Sequence, residues 1–406
     1  MIPAVSGSTI QTLLKTDEIR LAFSFFADHA AQITARQIEI CQIPAPPFKE
    51  QKRAQYFLEK FIELGLKEAK IDSAGNVLAV RRGVGRAPLL VVSAHLDTVF
   101  PLETDLTARF ENGRIFAPGI MDDGCGLAAL LALAEALEKL KVETAGSILF
   151  AATVGEEGAG NLRGVRYLFT EGEFAKKITA FISLDGAGVS QIVNRALGAR
   201  RYKVALNGGG GHSWLDAGAP NPVHAAGRIV AKLTAFRPLL SKKDKTTFNV
   251  GRIAGGTSVN SIPTTAAIEV DLRSESSSEL QRLDAFFRRV VDESVAEENS
   301  AGNPNYSPLE SNLELTGDRP SGETRPNDPL VQLAVEATKA VGGEPHLTIS
   351  STDANLPMSL GVSAITIGAG GAGDKMHTLG EWYDPTGREI GLSRALLLIL
   401  GFVELA

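Results

Sequence analysis

Apolar and polar positions along this chain follow two different periods, and each change of period marks an element. From residue 15 to residue 65 the apolar positions recur at helical spacing. The run "AQYFLEKFIELG" carries them on one face and stops at Gly65. Two short strand-like runs come next, "NVLAVRRG" and "APLLVVSAHLDTV". A turn-rich stretch, "DLTARFENGRIFAPG", separates them from a strong helix, "GLAALLALAEALEKL". "GSILFAATV" reads as a buried strand, "GVRYLF" as part of a helix and "ITAFISLDG" as another buried strand. Buried strands alternating with helices predict an α/β layer with a mostly parallel sheet flanked by helices.

The pattern changes near residue 196. "ARRYKVALNGGGGHSW" predicts a strand ending in a glycine-rich turn, and "NPVHAAGRIVAKLTAF" a helix. "TTFNVGRIAGG" and "TTAAIEVDLRS" predict two strands, "SSELQRLDAFFRRVVDESVAEE" a second helix and "NLELTGDRPSG" a fourth strand. That order describes a small α+β layer inserted in the larger one. From about residue 319, "DPLVQLAVEATKAVGG", "SAITIGAGG" and a C-terminal helix return to α/β character. The expected domains are 1–195, an insert at 196–318, and 319–406. No internal repeat is visible, and the glycine clusters at 208–211 and 368–373 read as loops.

Composition narrows the function classes. The chain has 406 residues, 44% hydrophobic and 22% charged, more than one ordinary core accommodates. A net charge of −6 argues against a nucleic-acid binder. The basic runs Arg81-Arg82, Arg200-Arg201 and Lys242-Lys243 read as solvated faces. Cys41 and Cys125, the two cysteines, make neither a metal pair nor a disulfide framework. The start of the sequence has no positive residue before Lys15 and no long apolar core, unlike a secretory signal. The most apolar segments are too short or too charged to span a bilayer. A cytoplasmic protein without a membrane partner is the expectation.

The candidate chemistry lies at strand ends. "SAHLDTV" puts His95 and Asp97 two positions apart, on one face of a strand. "GIMDDGCG" puts Asp122 and Asp123 before the strong helix, and "TVGEEGAG" puts Glu156 and Glu157 after the next strand. "SLDGAG" supplies Asp185 and "GDKMHTLGEW" supplies His377. In open α/β sheets, ligands collect outside the carboxyl ends of strands. Two histidines with several carboxylates suit zinc first, then manganese or cobalt. So many carboxylates exceed one tetrahedral ion, and a two-metal site about 3.5–4 Å across relieves their repulsion. Each group alone has a plainer reading: Asp122-Asp123 as a helix N-cap, Glu156-Glu157 as a solvated loop. Their joint placement is what argues for a metal centre.

These motifs resemble the zinc exopeptidases that include peptidase T, carboxypeptidase G and aminoacylase, and peptidase T-like members most of all. "IPAPPFKE", "DSAGNVLAV" and "GGTSVNSIPTTAAIEVDLRS" fit the same resemblance, which spans roughly residues 38–390. It implies that His95 and Asp185 hold one zinc, that Glu157 and His377 hold the other, and that Asp122 bridges them. It implies that Asp97 orients His95, that Glu156 is the general base for a metal-bound hydroxide, and that the peptide bond after Asp122 is cis. Two zinc ions against three ligand carboxylates and a hydroxide leave the site near neutral, able to accept the charge of a tetrahedral intermediate. Gly124 stands where the family often has Lys, which removes a charge beside the site.

The resemblance also implies that His212 in "GGGGHSW" reaches the partner subunit's site and stabilises the oxyanion. That makes the protein a homodimer through the inserted lid. Asn260 and Arg273 then bind substrate, Arg273 forking onto a free carboxyl end. "STDANLP" lines the pocket. His29, His224 and His346 read as structural or exposed. Three functions compete: a di- or tripeptidase, an N-acyl amino acid amidohydrolase with the same centre, and a catalytically silent zinc-binding protein. An intact Glu156 argues against the third.

Overall fold

In the computed structural model, residues 8–66, 68–85, 88–241 and 243–406 are described. Residues 1–7 of the N-terminal segment and Lys242 of the last basic run lie outside them. The chain forms two compact units. One runs to Ala196 and resumes at Gly322, and the other runs from Leu197 to Ser321. The second cut thus falls after Ser321 rather than after residue 318.

The first unit is built on a nine-stranded sheet. At its centre, Ser147–Thr153, Leu89–His95, Ala180–Leu184 and Ser363–Ile367 pair in parallel in that spatial order. Antiparallel neighbours close one side at Val77–Arg81 and continue the other at Gln191–Ala196. Alternation in the strands explains the layering. Leu90, Val92, Ala94, Ile148, Phe150, Ala152 and Ile182 face the larger core, which includes the helices Gly124–Lys139 and Arg388–Val403. Val91, Leu149, Ala151 and Phe181 face a smaller core with Leu162 and with Val165 and Leu168 of the helix Arg163–Thr170. Both faces are covered, which is why these strands read as near-continuous apolar runs.

The Leu197–Ser321 unit has four antiparallel strands in the order Thr246–Gly255, Thr265–Ser274, Gly198–Asn207, Glu310–Arg319. The helices Pro222–Phe236 and Ser277–Ala301 cover one face. Tyr202, Val204, Leu206, Ile268, Val270 and Leu272 point into them with period two. Arg201, Glu269 and Asp271 take the opposite positions.

Two sequence readings are corrected. "DLTARFENGRIFAPG" is a hairpin, Arg109–Glu111 against Arg114–Phe116, extended by Trp382–Asp384 and Ala372–Asp374 into a four-stranded sheet. Asn112 and Gly113 at its turn have φ of +50° and +77°, the conformation an Asn-Gly pair supplies most readily. The arginines of the basic runs are not simply solvated: Arg81 pairs with Glu138 at 2.7 Å and Arg200 with Asp284 at 2.6 Å. Among the described residues, no helix is long and apolar enough to cross a membrane.

Candidate metal centre

The four parallel strands end on one edge of the sheet, and the candidate residues gather there. His95 is the last residue of its strand, Asp185 follows Leu184, and Glu156 and Glu157 come just after Thr153. His377 arrives from the loop beyond Ser363–Ile367 with a φ of +63°. All but Asp185 and His377 are buried.

The contacts divide into two sets that share one carboxylate. His95 Nε2 lies 2.9 Å from Asp122 Oδ1. On the other oxygen, His377 Nε2 lies 3.0 Å from Asp122 Oδ2, and it is 2.8 Å from Glu157 Oε1. Ligand atoms of His95, Asp122 and Asp185 lie within 4.8 Å of one another, and so do those of Asp122, Glu157 and His377. Glu156 falls in a third such group, with His95 and Glu157. Imidazole nitrogens and carboxylate oxygens are donors zinc accepts, and each set supplies three. The residues therefore fit two divalent ions with Asp122 between them.

The local backbone explains how neighbours take different jobs. Asp122 faces the centre, whereas Asp123 turns away. Asp123 accepts the N–H of Gly126 at 3.1 Å, capping the helix Gly124–Lys139, and the N–H of His95 at 3.0 Å. The bond between the two aspartates is cis. Gly155 and Gly158 flank the glutamate pair with φ of +69° and +46°, which a side chain there would resist.

Asp97 acts differently from the expectation. The orienting contact to His95 comes from its backbone: His95 Nδ1 donates to Asp97 O at 2.9 Å. That fixes a proton on Nδ1 and turns Nε2 toward Asp122, to which it donates while no ion is bound. The Asp97 carboxylate is 3.8 Å from the ring. Its Oδ1 instead accepts the N–H of Glu156 at 2.9 Å and its Oδ2 that of Glu157 at 2.7 Å. The strand ends at His95, so Asp97 lies beyond it and the alternation of strand side chains used to pair the two does not extend to it.

Electrostatics reflect the crowding. Burial works against the charge on His95, but the Asp122 hydrogen bond and the charges of Asp123, Asp122 and Asp185 hold its pKa well above the ordinary value. Hydrogen bonds that His377 donates to Asp122 and Glu157 raise its pKa to about 10. Burial opposes the Asp122 carboxylate, yet bonds to His377 and His95 keep its pKa below the usual range. Asp185, its carboxylate desolvated and facing the Asp122 charge, is pushed up to about 7. With no ion bound, the imidazoles serve as the counter-cations.

The remaining candidates lie in the Leu197–Ser321 unit. The pairing of Gly211-His212 with Ser261-Ile262 brings His212 and Asn260 into adjacent loops, and Ser213 N–H donates to Asn260 O at 3.0 Å. His212 Nδ1 accepts the N–H groups of Trp214 and Leu215 at 3.1 and 3.3 Å. The ring proton therefore belongs on Nε2, leaving an exposed N–H donor. Arg273 is not with them. It is at the other end of its strand from Thr265, about 26 Å away at ~3.3 Å per residue, and pairs with Asp271 at 2.6 Å. Within "STDANLP", Asp353 is buried and accepts a 2.5 Å hydrogen bond from Thr153 Oγ1. The sequence reading assigned no role to this acid or to Glu381, although both lie inside motifs it quoted, "STDANLP" and "GDKMHTLGEW".

Two triads sharing one aspartate, set at the strand ends of an α/β sheet, form a donor set that could hold two divalent ions. The chain belongs to peptidase family M20/M25/M40, whose model matches residues 91–400, and so to hydrolases acting on peptide bonds. It is 26% identical over 360 residues to the YqjE protein of Bacillus subtilis, covering 85% of this chain and 91% of that one. Over 260 residues it is 29% identical to a succinyl-diaminopimelate desuccinylase of Paraburkholderia xenovorans, covering 60% and 69%. Among solved structures it resembles the aminopeptidase PepT of Bacillus cereus, with a TM-score of 0.72, 21% identity and coverage of 92% and 98%. It also resembles a tripeptidase of Staphylococcus aureus, with a TM-score of 0.74, 22% identity and coverage of 91% and 97%.

Proposed function

We propose that this chain is a two-metal aminopeptidase that releases the N-terminal residue from short free peptides, tripeptides above all. The observation that carries the reading is the pair of triads sharing Asp122 with Glu156 beside them. In this reading His95 and Asp185 hold one ion, Glu157 and His377 the other, and Asp122 bridges. Two zinc ions there would act as Lewis acids and bring the pKa of a water from 15.7 toward ~7.

Glu156 takes a proton from the attacking water as its oxygen bonds to the peptide carbonyl carbon. It returns that proton to the amide nitrogen as the C–N bond breaks, so the amine leaves neutral. Asp97, through the two N–H groups it accepts, holds Glu156 at that task and Glu157 at the metal. His212, carried by a second copy of the chain, donates its Nε2 proton to the oxyanion, and Arg273 receives the substrate carboxylate. The span between Arg273 and the His212–Asn260 loops supports a site fed by two copies.

The test is hydrolysis of free tripeptides, dipeptides and N-acetyl and N-succinyl amino acids by zinc-loaded protein, read by mass spectrometry with and without chelator. Chelator-sensitive release of the first residue from tripeptides is expected. The desuccinylase relative favours a second reading, an N-acyl amino acid amidohydrolase with the same catalytic residues. Cleavage confined to N-acyl substrates would replace the first reading with the second.

A further inference from the structure

Glu381 is fully buried, four positions after His377, and has no part in either triad. Its carboxylate accepts three backbone N–H groups from one turn. Oε2 takes that of Gly119 at 2.9 Å, and Oε1 takes those of Met121 at 2.8 Å and Asp122 at 2.9 Å. Its own carbonyl accepts the N–H of Ala117 at 3.2 Å. Every one of these bonds ends on the segment that delivers Asp122.

The segment before Glu381 is equally tied. Thr378 N–H donates to Lys375 O at 3.2 Å and Glu381 N–H to Thr378 O at 3.2 Å. The Thr378 hydroxyl donates to Lys375 O at 2.7 Å. This short closed loop carries His377 at one end and Glu381 at the other. We propose that Glu381 is a positioning residue that sets the spacing between Asp122 and His377, and so selectively builds the metal set completed by Glu157. The inference rests on the two-metal reading and adds to it a residue outside both ligand sets.

The physical case is one of geometry. Neither Asp122 Oδ2 nor His377 Nε2 is held in register by a shared element: one follows a turn and the other a loop with left-handed backbone. A carboxylate with three charge-assisted N–H bonds is a rigid clamp between them. The other set needs it less. His95 ends a central strand, and Asp185 directly follows another, its N–H bonded to Ile367 O at 3.0 Å. A glutamine at 381 could keep two bonds through its carbonyl, but its NH2 would face the N–H of Gly119.

The test titrates metal-free wild type and Glu381→Gln with Zn2+ by calorimetry, alongside the melting temperature of each metal-free protein. Glu381→Asp is the companion variant, since its carboxylate falls a methylene short. The expected result is one ion bound as in the wild type and the second weakened about 10–100-fold, with the metal-free melting temperature nearly unchanged. Two ions bound with wild-type affinity in both variants would overturn the inference. So would equal weakening of both ions with a large drop in melting temperature, which would make Glu381 a folding residue only. A wild-type protein that takes up fewer than two ions would sink the two-metal reading itself, and this inference with it.

Discussion

Glu156 and Glu157 are adjacent, equally buried and flanked by glycines, yet their surroundings assign them different chemistry. Glu157 touches His377, whereas Glu156 lies within ligand reach of His95 and Glu157 but outside both triads that share Asp122. Glu156→Gln is therefore expected to keep both ions and lose turnover by at least 10²–10⁴-fold. Glu157→Gln should lose one ion, counted by elemental analysis after gel filtration; equal zinc loss from both variants would reject the assignment. Asp97→Asn keeps its backbone carbonyl on His95 but presents an NH2 to one of the two glutamate N–H groups. A 10–100-fold fall in kcat with metal content intact is expected. Protons follow from the same contacts. The pKa of His377 is raised by Asp122 and Glu157, so below about 10 the metal-free ring keeps its proton. Binding an ion needs that nitrogen bare. Zinc uptake at pH 7 should then release protons and tighten as pH rises. Calorimetry in two buffers of different ionisation enthalpy checks this, and a heat independent of buffer would refute it.

At the level of elements, the turn between Thr153 and the helix Arg163–Thr170 is tightly constrained. A Cβ at Gly160 would lie 2.4 Å from the Cα of Gly155. Gly160→Ala should cost about 1–3 kcal/mol of stability, seen as a lowered urea midpoint, and reduce turnover by displacing Glu156. A variant as stable and active as the wild type would show that the turn yields freely. Elements were legible in the sequence where one periodicity ran long enough. The apolar runs ending at His95, Thr153 and Leu184 are buried on both faces and could hardly be read otherwise. The strands Gln191–Ala196 and His346–Ser350 escaped notice because their polar residues break the run, and it is pairing within the sheet, with each other and for Gln191–Ala196 also with Ser363–Ile367, that makes them strands. The Arg109–Phe116 hairpin was hidden by its charged, exposed strands, although its Asn-Gly turn was in plain view. What the sequence could not carry was direction. It put Asp97 beside His95 but could not tell a carbonyl contact from a carboxylate one. It put Arg273 and Asn260 in one motif but could not tell that a strand's length separates them.

Across the whole molecule, the proposed two-copy site makes a prediction that no single chain can meet. His212→Ala should lower kcat by about 10²–10³, and Glu156→Gln should be nearly inactive. Mixed and allowed to exchange subunits, the two inactive proteins should recover about a quarter of wild-type activity. Half of the dimers would be mixed, and each would hold one intact site of two. Sedimentation should give a dimer. If mixing restores nothing while the dimers do exchange, His212 serves its own chain or none.

The sharing of Asp122 between segments far apart in the sequence also sets a timetable for synthesis. His95, Asp122 and Asp185 leave the ribosome early, while His377 comes near the end of the chain. A growing chain that has reached Asp185 thus holds every donor of one triad and lacks a donor of the other. If both ions are needed for hydrolysis, peptide cutting waits for the segment that carries His377, and the order in which residues are made acts as a safety catch on the newborn protein.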